Sequence, residues 1–273
     1  MKKYIYIGTA VILGIVTSCA TNPFSGKKTM ALVPDSEILP SAFAQYSAFL
    51  KESKVVTGTT NAKLVESVGI KIKNAAERYL NANGYQGYLK DYRWEYKLVE
   101  SNEINAWCMP GGKIVVYSGI LPVTKNEAGL ATVMGHEVAH ALANHGQQRM
   151  SGAMLQQLGA VGTQVLVGEK SEQTQALAMQ AYGAGSNVLG MLPFSRSHES
   201  EADEIGLILM AIAGYNPDES VLFWQRMSAK AGAGGAPPEI LSTHPSDATR
   251  MSNLQRLIPK AKAEAKKFGV NFK

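Results

Sequence analysis

The sequence predicts a mainly helical α+β fold, and two observations carry that prediction. Apolar residues recur at three- and four-residue steps between residues 61 and 80, which is typical of an amphipathic helix. Apolar and polar residues alternate over 92–100, and a second strand-like run covers 113–121 after the turn Met-Pro-Gly-Gly. With 45% hydrophobic residues in a chain of 273, there is enough apolar material for a sizeable core.

The N-terminal segment, residues 1–18, has a basic start followed by an apolar stretch too short to span a bilayer comfortably. The stretch ends in Val-Thr-Ser-Cys, which resembles the lipobox of bacterial lipoproteins. On that resemblance the signal peptide is cut before Cys19, which then carries acyl chains and anchors the chain to a membrane. An ordinary secretory signal, or a short anchor with an incidental cysteine, are the open alternatives. Cys108 is the other cysteine, so no disulfide is expected.

The charge pattern argues against a nucleic-acid partner. The formal net charge is +5, of which Lys2 and Lys3 supply two, and there is no long basic run. No later stretch reaches the length of unbroken apolar sequence that a membrane span needs. We therefore expect a protein that is anchored to a membrane but does not span it.

The chain divides by composition into a signal peptide (1–18), a leader rich in turn formers (19–35) and a single domain (36–273). That domain is predicted to contain a helical insertion at about 151–192. In the motif Thr-Lys-Asn-Glu we predict a capping box, with Thr124 as the N-cap and Glu127 three residues later. The remaining helices are expected at 36–50, 61–80, 194–214, 216–232 and from about 246, with a flexible loop at 231–238.

The helix that follows the capping box carries the pattern His-Glu-x-x-His at His136, Glu137 and His140. Positions four apart lie close together around a helix axis, so both imidazoles can reach one metal ion. Glu137 projects beside that pair, where its carboxylate can reach a water molecule at the metal. The pattern therefore predicts a metal site, although a chance match remains the alternative.

A third ligand has to come from elsewhere in the chain. His145 lies one residue too early for the longer pattern His-Glu-x-x-His-x-x-Gly-x-x-His, so we interpret it as a structural histidine near the end of the helix. On the later helix, Glu199 and Asp203 share one face with apolar residues, which is costly unless a cation lies opposite. Glu199 as third ligand, with Asp203 supporting a ligand imidazole, would remove that cost. A solvated acidic face is the alternative.

Taken together, Gly-His-Glu-Val-Ala-His (135–140) and His-Glu-Ser-Glu-Ala-Asp (198–203) resemble the HtpX/CAAX-prenyl-protease type of zinc metallopeptidases, which are gluzincins. The stretches 105–121 and 241–250 match the same family, and Asn-Pro-Phe-Ser-Gly-Lys-Lys (22–28) resembles its bacterial lipoprotein branch. The resemblance implies a gluzincin core with a small β-sheet beside the active-site helix. It also implies one Zn²⁺ per chain, held by His136, His140 and Glu199, with Asp203 behind the ligands.

His244 and Arg250 belong to the matched stretch 241–250. By the resemblance, His244 lies near the metal, where it would steady the oxyanion or occupy the open zinc position and hold the enzyme latent. A purely structural part is the alternative. Arg250 is expected to anchor the same loop through a carboxylate.

A polypeptide substrate fits this chemistry. Glu137 is expected to act as general base, and the strand 113–117 is expected to be the edge to which an extended peptide adds; its residues are Lys113, Ile114, Val115, Val116 and Tyr117. Cys108, which lacks a paired base, is interpreted as packing. Together with the lipobox-like pattern, the family resemblance thus implies an outer-membrane lipoprotein facing the periplasm that hydrolyses unfolded or misassembled envelope proteins. The alternative is a chaperone or assembly lipoprotein with a latent or inactive zinc site.

Overall fold

The structure is a computed structural model that describes residues 19–231, 238–244 and 248–272. The predicted signal peptide and most of the predicted loop 231–238 lie outside the described residues. The strands are β1 (Cys19–Thr21), β2 (Lys28–Met30), β3 (Val55–Val56), β4 (Glu95–Val99), β5 (Ala106–Met109) and β6 (Lys113–Tyr117). The helices are α1 (Asp35–Glu52), α2 (Thr60–Ala82), α3 (Leu121–Thr124), α4 (Glu127–Leu142), α5 (His145–Val167), α6 (Glu172–Ser186), α7 (Leu192–Ile212), α8 (Glu219–Ala231), α9 (Glu239–Thr243) and α10 (Ala248–Lys267). The mainly helical α+β fold is confirmed.

Two compact units make up the chain. Within the described residues, one contains 19–38 and 144–198, and the other contains 39–143, 199–231, 238–244 and 248–272. The assignment of residues 36–273 to a single domain stays a prediction. Among the helices of the described residues, none combines the length and the apolar character needed to cross a membrane.

In the larger unit, four strands form one sheet in the order β3-β4-β6-β5. Strands β4 and β6 are parallel, while β5 pairs with β6 in the antiparallel direction through the turn at Pro110–Gly112. Ile114, Val115 and Val116 of β6 are fully buried, as expected for a central strand that is covered on both faces.

The most deeply buried helix is α4, where every residue from Gly129 to Leu142 is buried. It packs against α2, α8 and β5. Val68 and Ile72 of the apolar face that the sequence predicted for α2 are inaccessible to solvent, and so is Val65, which was not part of the predicted face. Each such side chain contributes about 1.5–3 kcal/mol relative to leaving it exposed. The histidine pattern therefore lies on the best-supported helix of this unit.

The capping box predicted at Thr124 was wrong. Thr124 is the last residue of the short helix α3 and its hydroxyl donates to the Leu121 carbonyl. Lys125 then takes a positive φ of 63°, which turns the chain before α4. The N-cap is Asn126, whose Oδ1 accepts from the Gly129 amide at 2.8 Å, a role that asparagine fills well.

In the smaller unit, the leader forms a hairpin of β1 and β2, with Cys19 paired to Met30. Strand β2 packs against α5. The Leu32 amide donates to Ser151 Oγ at 3.0 Å, and Gln147 Nε2 donates to the Val33 carbonyl at 2.7 Å. The leader is therefore an ordered part of this unit.

Candidate metal centre

Helix α4 places His136, Glu137 and His140 in the interior, each with at most 5% of its surface exposed. The two imidazoles lie one helical turn apart, and their Nε2 atoms are 3.1 Å from each other. Two nitrogen lone pairs at that distance repel unless a proton or a cation lies between them. The helix alone thus supplies two converging imidazoles that could bind one metal ion.

Helix α7 supplies the third group. Glu199 Oε2 lies 3.3 Å from His136 Nε2, and Glu199 Oε1 lies 3.3 Å from His140 Nε2. In a tetrahedral zinc site with bonds of roughly 2.0–2.1 Å, the ligand atoms are separated by about 3.4 Å. The three separations in this site are within a few tenths of an ångström of that value. The residues present therefore fit a Zn²⁺ ion bound by two imidazoles and one carboxylate.

Helices α4 and α7 come together because both have a glycine at their contact. A Cβ added to Gly135 would lie 2.9 Å from the Gly206 carbonyl oxygen, and one added to Gly206 would lie 2.9 Å from the His136 amide nitrogen. Any larger side chain at either position would push the two backbones apart. Such a displacement would separate Glu199 from the two histidines.

His244, at the end of α9, contributes a fourth group. Its Nδ1 lies 3.2 Å from His136 Nε2 and 2.8 Å from Glu199 Oε2. Possible ligand atoms of His136, His140, Glu199 and His244 all lie within 4.8 Å of one another. The imidazole of His244 therefore stands where a fourth ligand, or a group that contacts the substrate, would be.

A buried network lies behind His136. Asp203 Oδ1 is 2.9 Å from His136 Nδ1, so that ring nitrogen can donate to the carboxylate and leave Nε2 as the ligand atom. Arg250 holds the same carboxylate with two bonds, from Nε at 2.8 Å and from Nη2 at 2.6 Å. Its Nη1 also donates to the His244 carbonyl at 3.3 Å. Arg250 thus connects the loop of His244 to the support of His136.

Trp224 of α8 completes that network. The guanidinium carbon of Arg250 lies 3.6 Å from the centroid of the indole ring, and the His136 ring meets the same indole edge to face at 6.2 Å. Trp224 is 1% exposed, so the cation lies against an aromatic face away from water, where this interaction is strongest.

The electrostatics favour a bound cation. Burial and the charge of Arg250 lower the pKa of His136, but hydrogen bonds to Asp203 and Glu199 outweigh both and raise it to about 9. Burial lowers the pKa of His140 well below its ordinary value. Burial would raise the pKa of Glu199, yet hydrogen bonds from His136, His140 and His244 hold it far below the ordinary range. The metal-free site therefore keeps a carboxylate and takes up a proton, which a divalent cation would replace.

Glu137 has a different environment from the ligands. Its Oε1 is buried and has no hydrogen-bond partner among the described residues, and the His244 Nε2 atom lies 3.5 Å away. A buried carboxylate oxygen without a partner is costly. A water molecule or a substrate group beside the ligands would satisfy it.

Several sequence-based expectations can be placed in the structure. His145 is outside the ligand group: Asn144 adopts a left-handed conformation with φ of 55°, and His145 begins α5 instead of ending α4. Its ring stacks on that of His198 at 4.1 Å. Cys108 lies on β5, where burial and then the charge of Glu137 raise the pKa of its thiol well above the ordinary value.

The expectation that residues 113–117 form the substrate edge was wrong. This strand, β6, pairs with β4 on one side and with β5 on the other, so its backbone groups are already used. The prediction failed because a strand pattern does not show which strand is central. Within the described residues, β5 ends the sheet on the side that packs against α4.

Sequence reasoning missed Trp224 and the glycine pair. Trp224 follows Phe223 in an amphipathic segment, where aromatic residues indicate ordinary packing. Gly135 directly precedes the histidine pattern and Gly206 follows Asp203 by three residues. A glycine within a helical pattern suggests a close contact, but the two could not have been matched to each other from the sequence.

The relatives of this chain are metallopeptidases. Over 207 residues it is 35% identical to the mitochondrial metalloendopeptidase OMA1 of Saccharomyces cerevisiae, covering 72% of this chain and 56% of that protein. The similarity to human metalloendopeptidase OMA1 is 28% over 260 residues, covering 93% and 48% of the two chains. The beta-barrel assembly-enhancing protease of Escherichia coli K12 is 32% identical over 166 residues, which is 59% of this chain and 34% of that one.

The chain spans about half the length of the OMA1 relatives. The model of peptidase family M48 matches residues 71–258. That range includes β4 to β6, the histidine pattern of α4, Glu199, His244 and the Asp203–Arg250 pair, so the match and the geometry concern the same residues. The chain belongs to peptidase family M48.

Proposed function

We propose that this chain is a lipid-anchored, zinc-dependent endopeptidase of the cell envelope that hydrolyses unfolded or misassembled polypeptides. The observation that carries the proposal is the convergence of His136, His140 and Glu199 beside the unpaired oxygen of Glu137. A site that only binds a metal does not need the second carboxyl group that Glu137 adds. Membership of a family of metallopeptidases supports the same reaction.

In this proposal each residue has a defined part. Zinc, when bound, acts as a Lewis acid that lowers the pKa of water to about 7 and polarises the scissile carbonyl. Glu137 accepts a proton from the attacking water and later delivers it to the leaving amine. Asp203 keeps the proton of His136 on Nδ1, so that Nε2 remains a ligand.

Strand β5 replaces β6 as the expected site of substrate addition. An extended peptide would pair with the open side of β5 through backbone hydrogen bonds. This mode of binding depends on the peptide backbone more than on particular side chains. It therefore suits substrates that have lost, or not yet reached, their folded state.

The envelope location rests on the sequence around Cys19 and on one relative. Cys19 follows a lipobox-like pattern, and the E. coli relative is a beta-barrel assembly-enhancing protease. We propose attachment to the outer membrane on the periplasmic side. The OMA1 relatives are mitochondrial proteins, so the location is less closely tied to the family than the chemistry is.

The position of His244 favours a second candidate function, that of an assembly lipoprotein whose zinc site is latent. Its Nδ1 lies within 3.2 Å of two of the ligand groups, so the imidazole can occupy the position that water needs. Replacing it in His244→Ala is expected to change the cleavage rate while zinc binding persists. Loss of zinc from that variant would contradict a role apart from the three ligands.

The test of catalysis combines metal analysis with cleavage of casein, an unfolded substrate. The wild type is expected to hold one zinc per chain and to cleave. Glu137→Gln is expected to hold the same zinc and lose about two to four orders of magnitude in rate. Glu127 lies in the first turn of the same helix, and its side chain is half exposed. The variant Glu127→Gln is therefore the matched control and should cleave normally. Equal turnover by wild type and Glu137→Gln, or none by either, would favour the assembly role.

A further inference from the structure

The outward face of α5 exposes a line of large apolar side chains. Met150, Met154, Leu158, Val161 and Val165 are between 41% and 75% exposed. They follow one another at steps of four, four, three and four residues, so they lie along one side of the helix. We call these five residues the α5 apolar stripe.

The opposite side of α5 is already covered within the same compact unit. A Cβ on Gly159 would overlap the Tyr182 ring of α6, and the Tyr182 hydroxyl donates to the Gln156 carbonyl at 2.8 Å. Helix α6 therefore packs on the inner face of α5. Helix α6 leaves the stripe uncovered, since its five side chains stay exposed.

The hairpin of α5 and α6 lacks the charges that normally keep an exposed helix in water. No Asp, Glu, Lys or Arg occurs from 150 to 168, or from 173 to 195. Exposed helices usually present charged residues on the side away from the core, and contiguous exposed apolar surface marks a place of interaction. A partner helix would also be expected to find charges beside the stripe that fix its register, and these are absent from the sequence.

The same unit provides an argument for what covers the stripe. Strand β2 of the leader packs against α5, and Leu32 and Gln147 tie the leader to the first turns of that helix. The leader hairpin begins at Cys19. The stripe therefore starts on the helix turns to which the end of the leader is tied, and the same leader begins at the residue proposed to carry the lipid.

The compact unit that carries the stripe also exposes basic side chains. Lys27 and Lys28 are exposed in the leader hairpin, and Arg149 is exposed directly before Met150. Basic side chains near an apolar helix face are typical of helices that lie in the interface of a membrane with anionic lipids.

We propose that the α5 apolar stripe is a docking surface for a lipid bilayer, with the helix lying along the boundary between headgroups and acyl chains. The helix lies on the membrane and does not cross it, in agreement with the hydropathy of the described helices. The proposal goes beyond the peptidase reaction and rests on the membrane attachment proposed at Cys19. It gives a function to the hairpin of α5 and α6, which contributes no residue to the group around the metal centre.

The test uses the full chain in vesicles of phosphatidylethanolamine and phosphatidylglycerol, and flotation first shows that the chain is attached. An environment-sensitive fluorophore is placed at Val161→Cys in a Cys108→Ala background. The matched control is Leu222→Cys, since Leu222 is 49% exposed and Val161 is 58% exposed, in the other compact unit. The Cys108→Ala variant without an added cysteine, in which Cys19 is the remaining cysteine, measures the background labelling.

Brominated acyl chains are expected to quench the probe at Val161 while aqueous iodide does not, and the reverse is expected at Leu222. Quenching of the Val161 probe by iodide would overturn the proposal. Protection from both quenchers, with cross-linking between chains, would assign the stripe to contact between two copies instead. A chain that does not float would overturn the membrane attachment together with the stripe, whereas zinc content and casein cleavage report separately on the peptidase proposal.

Discussion

Helix α4 and the hairpin of α5 and α6 depart from the usual distribution of side chains in opposite directions. In α4, His136, Glu137 and His140 are buried, although polar and charged groups normally lie at the surface. In α5, Leu158 and Val165 are 61% and 75% exposed, although large apolar groups normally lie inside. The two helices follow one another in the chain.

The two regions differ in how they compensate for this unfavourable placement of side chains, namely buried charges in α4 and exposed apolar groups in α5. Around α4 the buried charges are compensated within the protein, because Glu199 and Asp203 contact histidines and Arg250 pairs with Asp203. Along α5 the described residues of the same unit provide no cover for the apolar stripe. The first region is therefore expected to depend on its internal partners, and the second on a partner outside the chain.

The largest effect is expected from removing a buried charge. Arg250→Met leaves the Asp203 carboxylate without its two-bonded partner, which should lower the free energy of unfolding by about 3–5 kcal/mol. Arg149→Met removes an exposed arginine from α5 and should change it by less than about 0.5 kcal/mol. Urea denaturation of the metal-free proteins measures both. Equal effects would mean that the network behind His136 is not a stabilising unit.

Removal of an apolar side chain tests the same contrast with uncharged groups. Leu209 of α7 is inaccessible to solvent, so Leu209→Ala should cost about 2–5 kcal/mol through lost contacts and a cavity. Leu158→Ala, at an exposed site of the stripe, should change the stability of the protein in solution by less than about 0.5 kcal/mol. Thermal or urea denaturation gives the comparison. A large loss in Leu158→Ala would show that the stripe is packed within the protein itself.

Weakening the hydrogen bond between Asp203 and His136 should have a smaller effect. Asp203→Asn keeps the shape of the side chain but weakens its hold on His136, which should lower zinc affinity by about 10–100-fold. Asp218→Asn, where the carboxylate is exposed and paired with Lys262, is the control and should bind zinc normally. Competition with a chromogenic chelator measures the affinity. Unchanged affinity in Asp203→Asn would remove Asp203 from the support of the site.

The sequence predicted the metal centre better than the sheet, for a physical reason. His136 and His140 lie on one helix, so their spacing fixes their separation, and the acidic face of α7 predicted Glu199 and Asp203 because buried carboxylates need a cation. Strand order has no such local signal, which is why the central position of β6 was missed. Trp224 was missed because its contact with Arg250 joins residues that are distant in the chain, α8 to α10.

The cap of α4 illustrates the same limit. Thr124 and Glu127 match a capping box, yet the positive φ of Lys125 places Asn126 at the N-cap. Two overlapping capping patterns fit the same six residues, and only the backbone path chooses between them. Elements were predicted well where a period of many residues defined them, and less well at their ends.

The smallest effect concerns the first residue of α4. Glu127 Oε2 accepts hydrogen bonds from the Tyr215 hydroxyl at 3.0 Å and from Lys71 Nζ at 3.2 Å. The hydrogen bond from Tyr215 has the larger effect and that from Lys71 the next, and both lower the pKa of Glu127 below its ordinary value of 4.5. A carboxyl group with a lowered pKa stabilises the folded state above the pKa of the unfolded chain, and this stabilisation is lost as the pH falls through the folded value. Because the side chain is half exposed, the contribution should stay below about 1 kcal/mol.

Wild type should therefore exceed Glu127→Gln in stability at pH 7 and match it at pH 3, as measured by urea denaturation. Lys54→Met, which removes a pair between two well-exposed side chains, serves as a control for surface pairs in general. A gap between wild type and Glu127→Gln that is as wide at pH 3 as at pH 7 would show that the glutamate acts through its packing and not through its charge.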